Sequence, residues 1–345
     1  MKFWLTHSRF AILAGLLSML LLLSACSSNT AATNQAAVPA PSPVPAAAEQ
    51  AAETTAAVAF PRTIEAANGS IVIDEQPERV AVVHWGYNDS ILLFDLKSVG
   101  LALPFTKADS SLTTDTYKPY ADKVGELAIV GENTTVNLEA LLEYAPDLII
   151  AGNAVNAEIT AQLEQIATTV VIDETKTDVW GNWPALVTKF GEILGQETVA
   201  ADFISGYEAK VADGKAKLAD LGGTVAFLQV RSNAVWLGGT KYLNPYYDNG
   251  LGLKAPDSPS MTEGAELTLE GLIALDPDYL FLGYFNYEQP SAASATDEWE
   301  TTEVWKKLKA VQNGHVYSIN GSLAMGYGPL GNSYGVGAVL EALGK

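Results

Sequence analysis

Apolar and polar positions follow the same order in two distant segments of the chain, residues 138–150 and 269–281. Each segment begins with a short apolar stretch of helical spacing and carries a glutamate at its second position, Glu139 or Glu270. A Pro-Asp pair follows, and proline ends a helix because it disfavours helical geometry in the residue before it. An apolar run typical of a buried strand comes next. The pattern predicts one helix–turn–strand unit used twice, which indicates two similar α/β lobes.

The rest of the pattern extends each copy of this unit into a Rossmann-like lobe. Residues 79–83 and 224–230 are continuous apolar runs of the kind that parallel sheets bury. Residues 197–221 keep helical spacing without proline, which predicts a single long α-helix between two mostly parallel sheets flanked by helices. Further strands are predicted at 99–103, 169–172 and 315–319, hairpins at 63–73 and 235–239, helices at 90–96, 159–166, 297–311 and 334–343, and a polar loop at 107–123.

The N-terminal region has the pattern of a targeting segment followed by a linker. Lys2 and Arg9 precede an apolar stretch at 11–23, as in a secretory signal. Residues 23–26 resemble the lipobox of bacterial lipoproteins, in which Cys26 becomes the first mature residue and carries the lipid. The predicted domains are a lipoprotein signal peptide at 1–25, a disordered Ala/Pro-rich tether at 26–58, an N-terminal lobe at 59–177, linking helices at 178–222 and a C-terminal lobe at 223–345.

Composition and charge narrow the function classes. The chain of 345 residues is 48% hydrophobic and 17% charged, which suits two domains with their own cores. Its formal net charge of −20 argues against nucleic-acid binding, because a phosphate footprint needs clustered Lys and Arg. Cys26 is the single cysteine, so we expect no disulfide and no thiolate metal site in the mature protein.

Motifs for catalysis or bare-metal binding are incomplete in this sequence. Residues 331–335 match the G-x-S-x-G nucleophile elbow, but that hydrolase order requires a histidine after the serine, and none follows His315. The glycine-rich residues 326–331 leave no room for the βαβ unit of a dinucleotide site. Zinc or manganese sites need clustered histidines, whereas His84 and His315 lie in different predicted lobes. We therefore expect no enzymatic activity and no resident metal or cofactor.

Several features stand in an order that resembles one known family. They are the lipobox at Cys26, Asn137-Leu138-Glu139 with Pro146-Asp147, the long linking helix, Leu269-Glu270 with Pro277-Asp278, and Trp305-Lys306-Lys307-Leu308 before Val311 and Val316-Tyr317. From about residue 60 to 345, the chain resembles the bacterial substrate-binding lipoproteins of iron-siderophore and cobalamin ABC importers, the periplasmic binding proteins with a helical backbone between their lobes. The resemblance implies a monomer outside the cytoplasm, lipid-anchored to the cell membrane.

The resemblance also implies which residues meet the ligand and the transporter. The pocket is expected between the lobes, in the loops after strand ends where open α/β sheets bind ligands. The ligand-binding residues it indicates are His84, Trp85, Tyr87, Arg231, Trp236, Tyr242, Tyr284 and Tyr327. In this family one glutamate on the exposed top of each lobe forms a salt bridge with a permease arginine, and by motif these are Glu139 and Glu270.

The expected ligand is a ferric siderophore, which the protein delivers to the permease of an ABC importer. Near the expected pocket loops the cations are Arg231, Lys107 and Lys241. Because a triply anionic catecholate complex favours several cations, a neutral or cationic hydroxamate complex is the favoured cargo. Haem or cobalamin, bound with the help of His84, is the alternative within the family. A divalent-metal-binding lipoprotein is a more distant alternative.

Overall fold

The computed structural model describes residues 60–345 except Asn249 and Pro290. The predicted signal peptide, the tether and the lipidation site Cys26 lie outside the described residues. Within the part of the chain that is described, no helix is both long enough and apolar enough to cross a membrane.

The described chain begins with the predicted hairpin, formed by β1 (Arg62–Ala66) and β2 (Gly69–Ile73). Gly69 has a φ of 113°, a backbone angle that glycine adopts without strain. The turn signal of Asn68-Gly69 is therefore confirmed.

The N-terminal lobe is built on a six-stranded sheet. Its strands are β3 (Arg79–Val82), β4 (Ser98–Ala102), β5 (Glu126–Glu132), β6 (Thr135–Val136), β7 (Leu148–Gly152) and β8 (Thr168–Ile172). Its helices are α1 (Asn88–Ile91), α2 (Lys118–Ala121), α3 (Leu138–Tyr144) and α4 (Thr160–Leu163). The strand order is β6-β5-β4-β3-β7-β8, and every neighbouring pair is parallel except β5 with β6. The chain reverses its winding direction between β3 and β7.

Two helices connect the lobes, α5 (Trp183–Leu194) and α6 (Glu197–Lys217). The 21 residues of α6 give it a length of roughly 30 Å at about 1.5 Å per residue. Phe203 of α6 packs on the N-terminal core, Val211 packs on the C-terminal core, and Tyr207 contacts both. The predicted long helix is therefore confirmed, and its side chains touch both lobes.

The C-terminal lobe is built on a five-stranded sheet in the order β11-β10-β9-β12-β13. Its strands are β9 (Val225–Val230), β10 (Val235–Gly238), β11 (Gly264–Glu266), β12 (Tyr279–Tyr284) and β13 (Val316–Asn320). Its helices are α7 (Leu269–Leu275), α8 (Asp297–Glu300), α9 (Lys309–Gln312), α10 (Gly321–Ala324) and α11 (Pro329–Ala342). β9, β12 and β13 are parallel, and β10 pairs antiparallel with both of its neighbours. The predicted fold class, two α/β lobes on a long helix, is confirmed.

The duplicated unit consists of α3 with β7 in one lobe and α7 with β12 in the other. Each helix ends in a left-handed residue before the proline, with φ of 50° at Ala145 and 39° at Asp276. The aspartate of each Pro-Asp pair then bonds the start of the neighbouring central strand. Asp147 Oδ2 accepts from the backbone N–H of Arg79 at 3.0 Å, and Asp278 Oδ2 accepts from that of Thr224 at 2.7 Å. The proline ends the helix, and the aspartate fixes the position of the strand that follows relative to the central strand beside it.

Several predicted segments differ in the structure. The helix predicted at 90–96 is the short α1, which ends at Ile91, and residues 235–239 form no hairpin of their own, because β10 pairs with β9 and β11. The predicted helix at 297–311 is broken into α8, a 3₁₀ turn at Trp305–Lys307 and α9. Thr302 Oγ1 accepts from Trp305 N at 3.1 Å, a local bond that competes with helical pairing. The predicted loop at 107–123 contains two 3₁₀ turns and α2, because Thr106 and Ser110 cap the turns with their hydroxyls.

Candidate functional site

A cavity of about 430 Å³ lies between the lobes, at the carboxyl ends of the parallel strands of both sheets. The N-terminal lobe lines it with residues that directly follow β3 and β4, and the C-terminal lobe with residues that follow β9, β12 and β13. The side chains that form most of its wall are Trp85, Asp89, Phe105, Leu112, Tyr117, Gln229, Arg231, Tyr242, Phe285, Met325 and Tyr327. In each lobe the sheet reverses its winding direction next to one of these strands, which is where α/β proteins bind ligands.

Arg231 is the first residue after β9, and two neighbours hold its guanidinium in place. Its Cζ lies 4.7 Å from the ring centroid of Phe285, the first residue after β12. With the Gln229 amide oriented so that its oxygen faces the guanidinium, that oxygen accepts from Nη2 at 2.7 Å and from Nε at 2.9 Å. The side chain as a whole is exposed, so its other N–H groups face the cavity and its mouth. The arginine is a preorganised donor for ligand oxygens.

An aromatic cluster extends from the cavity wall and links the two lobes. Trp85 lies 6.4 Å from Tyr327, ring centroid to ring centroid. Trp180, from the segment before α5, packs against both, at 4.9 Å from Trp85 and 4.4 Å from Tyr327. Tyr242 lies 5.8 Å from Tyr327 and donates a hydrogen bond to the backbone oxygen of Met325 at 2.5 Å. Such rings offer a large, rigid contact surface to a ligand.

His84 does not line the cavity, in contrast to the sequence prediction. Its ring is fully buried and stacks on Tyr87 at 3.8 Å. Nδ1 accepts from the backbone N–H of Gly86 at 3.0 Å, so the ring proton sits on Nε2, which lies 3.0 Å from Glu174 Oε1 and donates to it. Burial lowers the pKa of His84 and outweighs the attraction of Glu174. The histidine is neutral at pH 7 and holds the turn that carries Trp85.

Three more of the predicted residues lie outside the cavity wall. Tyr87 points into the core against Phe190 of α5, because a 3₁₀ turn sends Trp85 and Tyr87 to different sides. Tyr284, the last residue of β12, points away from the cavity, and its hydroxyl lies 3.1 Å from Glu300 Oε1. Trp236 is 43% exposed on β10 and lines a neighbouring groove of about 200 Å³. The structure brings together Trp85, Arg231, Tyr242 and Tyr327.

Several wall residues were not anticipated from the sequence. Phe285 has a simple signal, since it directly follows the strand of the second repeat unit. Phe105 follows β4 in the same way and is 49% exposed. Asp89 has no local signal, because its hydrogen bonds to Leu330 and Gly331 of the other lobe place it in the wall.

Glu139 and Glu270 occupy equivalent places in the two lobes. Each lies in the first turn of its helix, α3 or α7, behind an N-cap formed by Asn137 or Thr268. Both glutamates are exposed. The helices run opposite to the parallel strands that follow them, so both N-termini lie at the edge where the cavity opens.

The alternatives from isolated motifs find no matching geometry. Ser333 lies inside α11 rather than on a strand-to-helix turn, so residues 331–335 do not form a nucleophile elbow. Among the described residues, no group of three or more His, Cys, Asp or Glu side chains is arranged to hold a metal ion. His315 stacks on Tyr279 at 4.4 Å, far along the chain from His84 in a different lobe.

Two α/β lobes on a helical strut, with an aromatic cavity between them, form a two-lobed ligand-binding protein. Residues 80–323 match the periplasmic binding protein family, and the chain belongs to that family. It is similar to the iron-uptake system-binding protein of Bacillus subtilis strain 168, at 27% identity over 59% of this chain and 63% of that protein.

Two further relatives extend the comparison. The iron(3+)-hydroxamate-binding protein FhuD of Bacillus subtilis strain 168 is 28% identical over 75% of this chain and 78% of that protein. The crystal structure of the iron-uptake system-binding protein FeuA from Bacillus subtilis matches with a TM-score of 0.64 at 23% identity, covering 82% of this chain and 100% of that chain. The second comparison supports the fold alone.

Proposed function

We propose that the protein is the substrate-binding component of an ABC importer and captures a ferric siderophore in the interlobe cavity. The observation that carries this proposal is the cavity itself, in which the rings of Trp85 and Tyr327 and the guanidinium of Arg231 converge from both lobes. A volume of about 430 Å³ suits a small-molecule ligand. The relatives named for iron uptake and iron(3+)-hydroxamate binding support an iron chelate as the cargo. The proposal assigns no catalysis to the protein.

The charge of the cavity favours a hydroxamate complex. Of the described residues that line it, those with charged side chains are Asp89, Asp109 and Arg231. Lys241 lies outside the wall and pairs with Glu263 Oε1 at 3.1 Å. A triply anionic complex would gain little from one cation facing two carboxyl groups. The relatives do not decide between the two chemistries, because a solved FeuA complex contains the triscatecholate ferri-bacillibactin. The charge of the cavity supports the hydroxamate proposal.

Haem or cobalamin is the alternative cargo of the same cavity. In this structure His84 uses both ring nitrogens for contacts within the protein, to Gly86 and to Glu174. Ligation of a haem iron or a cobalt by this histidine would break one of these bonds and expose a buried ring. The geometry therefore favours the siderophore.

We propose that delivery uses Glu139 and Glu270 as contacts for permease arginines. Exposed charges on matched helices would set the orientation and rate of docking more than its strength. We also propose that the protein acts as a monomer outside the cytoplasm, attached to the membrane through a lipid on Cys26. Relatives named as lipoproteins support this location.

Titration of intrinsic tryptophan fluorescence tests the cargo, because Trp85 lies in the cavity wall and Trp180 packs against it. The titrants are a ferric trihydroxamate, a ferric triscatecholate, haem and cobalamin. We expect saturable quenching with the trihydroxamate and binding at least roughly tenfold weaker for the triscatecholate, which corresponds to about 1.4 kcal/mol. Saturation by haem or cobalamin alone would overturn the proposal.

A further inference from the structure

A buried aspartate joins the two lobes beneath the cavity. Asp89 lies in α1 of the N-terminal lobe and is 9% exposed. Its carboxylate accepts hydrogen bonds from the backbone N–H groups of Leu330 and Gly331, each at 3.1 Å, in the first turn of α11. The carboxylate therefore caps a helix of 14 residues that belongs to the other lobe.

The joint between α1 and α11 is closely packed. Leu323 and Leu330 of the C-terminal lobe belong to the apolar core of the N-terminal lobe. A Cβ atom on Gly328 would lie 2.3 Å from Asp89 Oδ2, so glycine is needed there for the carboxylate to approach the helix. Gly328 has a φ of −88°, which any residue adopts, and space alone explains the glycine.

The joint lies directly beside both walls of the cavity. Trp85 lies four residues before Asp89, and Tyr327 immediately precedes Gly328. The rings of Trp85 and Tyr327 meet edge to face in the cavity wall, with their centroids 6.4 Å apart. We infer that Asp89 is the positioning residue that sets the spacing of the two cavity walls by holding α1 against α11.

The titration of Asp89 supplies a readout that a passive structural contact lacks. Burial raises its pKa to about 6 despite the two backbone hydrogen bonds that it accepts. The titratable side chains that face it are Tyr117 and Tyr120, whose own pKa values are raised by burial so that both stay neutral, and α11 presents only backbone N–H groups. A pKa above that of a solvated carboxyl means that protonation favours the joined arrangement. The joint therefore tightens as the pH falls through about 6 and loosens as it rises.

Amide hydrogen exchange of the ligand-free protein measures the joint directly. The variants are Asp89→Ala, which removes both acceptor oxygens, and Gly328→Ala, which pushes a methyl group against the carboxylate. The matched control is Ser90→Ala, because Ser90 is a buried neighbour in α1 whose Oγ has no hydrogen-bond partner among the described residues. We expect the Leu330 and Gly331 amides to lose protection by roughly tenfold or more in both variants and to keep it in the control.

The pH dependence gives the second arm. Tryptophan fluorescence of the ligand-free wild type should show a transition near pH 6 that is absent in Asp89→Ala. Unchanged protection of both amides in Gly328→Ala, or a transition that persists in Asp89→Ala, would overturn the inference. If Asp89→Ala does not fold, Gly328→Ala and the wild-type transition decide.

These measurements use no ligand, so they are separate from the proposed function. A protein that binds none of the four titrants would refute the cargo and leave the joint intact. Where the ferric trihydroxamate does bind, Asp89→Ala should weaken its affinity while Ser90→Ala leaves it unchanged.

Discussion

At the scale of single residues, the site depends on side chains that hold loops in place as much as on those that line the cavity. His84 bonds Gly86 on one side and Glu174 on the other, and the turn between them carries Trp85. Gln229 has the same role for Arg231. A binding site on loops needs such supports, because each loop must keep one conformation if ligand contacts are to be preorganised.

Arg231 should contribute most of the polar affinity for a ferric hydroxamate. Replacing it with Ala removes charge-assisted hydrogen bonds to ligand oxygens, each worth about 1.5–3 kcal/mol, so we expect the Kd to rise by roughly 10- to 100-fold. Arg231→Lys keeps the charge but loses the planar fork of donors. Its Kd should therefore lie between those of the wild type and Arg231→Ala. Lys241→Ala, an exposed cation outside the wall, is the control, and fluorescence titration measures all three. An unchanged Kd in Arg231→Ala would exclude this residue from the ligand site.

The His84 ring should make the protein less stable in mild acid. Burial holds its pKa below the ordinary value of 6.5, so the unfolded chain takes up a proton before the folded one. Stability from this group is present at pH 7 and is lost as the pH falls through 6.5. His84→Gln keeps a donor for Glu174 but cannot titrate in this range. In urea unfolding, the free energy of unfolding of His84→Gln should be lower than that of the wild type at pH 7, and the difference should narrow at pH 5. A difference that is the same at both pH values would contradict the lowered pKa of His84.

At the scale of elements, the two copies of the helix–turn–strand unit have matching sequence patterns and fold into matching structures. A capped helix, a proline and an aspartate lie within one short segment, so the sequence predicts them together. The aspartates also have a role that the pattern did not reveal, because their partners at Arg79 and Thr224 come from other parts of the chain. Matched helices place Glu139 and Glu270 alike in the two lobes.

The matched glutamates allow docking to be separated from binding. Alanine at both Glu139 and Glu270 should leave the ligand Kd unchanged and abolish uptake into cells, because neither residue lines the cavity. A double variant with the same change of charge, Glu143→Ala with Glu266→Ala, serves as the control, since both residues are exposed in or near the same units. Normal uptake by the Glu139 and Glu270 variant would remove the docking role.

The limits of sequence reasoning have a physical cause. Apolar runs, caps and turn residues act within a few positions, so the strands, the long helix and the residues after strand ends were predictable. The orientation of His84 was not, because it depends on Glu174, which lies in another loop. Asp89 and Leu330 meet across 241 positions of sequence, and no local pattern marks such a contact. The break between α8 and α9 depends on one threonine hydroxyl, a choice that periodicity cannot resolve.

At the scale of the whole molecule, two connections oppose a wide movement of the lobes. The helix α6 contacts both apolar cores through Phe203 and Val211. The joint at Asp89 ties α1 to α11 on the cavity side. A hinge motion concentrates in a few residues that change φ and ψ, whereas a continuous helix and a capped joint resist such changes. Ligand binding should therefore produce a closing motion of a few degrees.

Distances between the lobes test this prediction. The chain has one cysteine, Cys26, so replacing it leaves a background for spin labels at Glu143→Cys and Glu266→Cys, two exposed positions in different lobes. We expect the distance distribution to shift little when a ferric trihydroxamate is added, since α6 keeps the lobes apart in both states. Adding Gly328→Ala distinguishes the contribution of the joint from that of α6. A broader distance distribution in the free protein would show that the joint limits the motion. An unchanged distribution would show that α6 alone is sufficient. A large shift in the wild type on binding would mean that neither connection is rigid and that the cavity closes as a hinge.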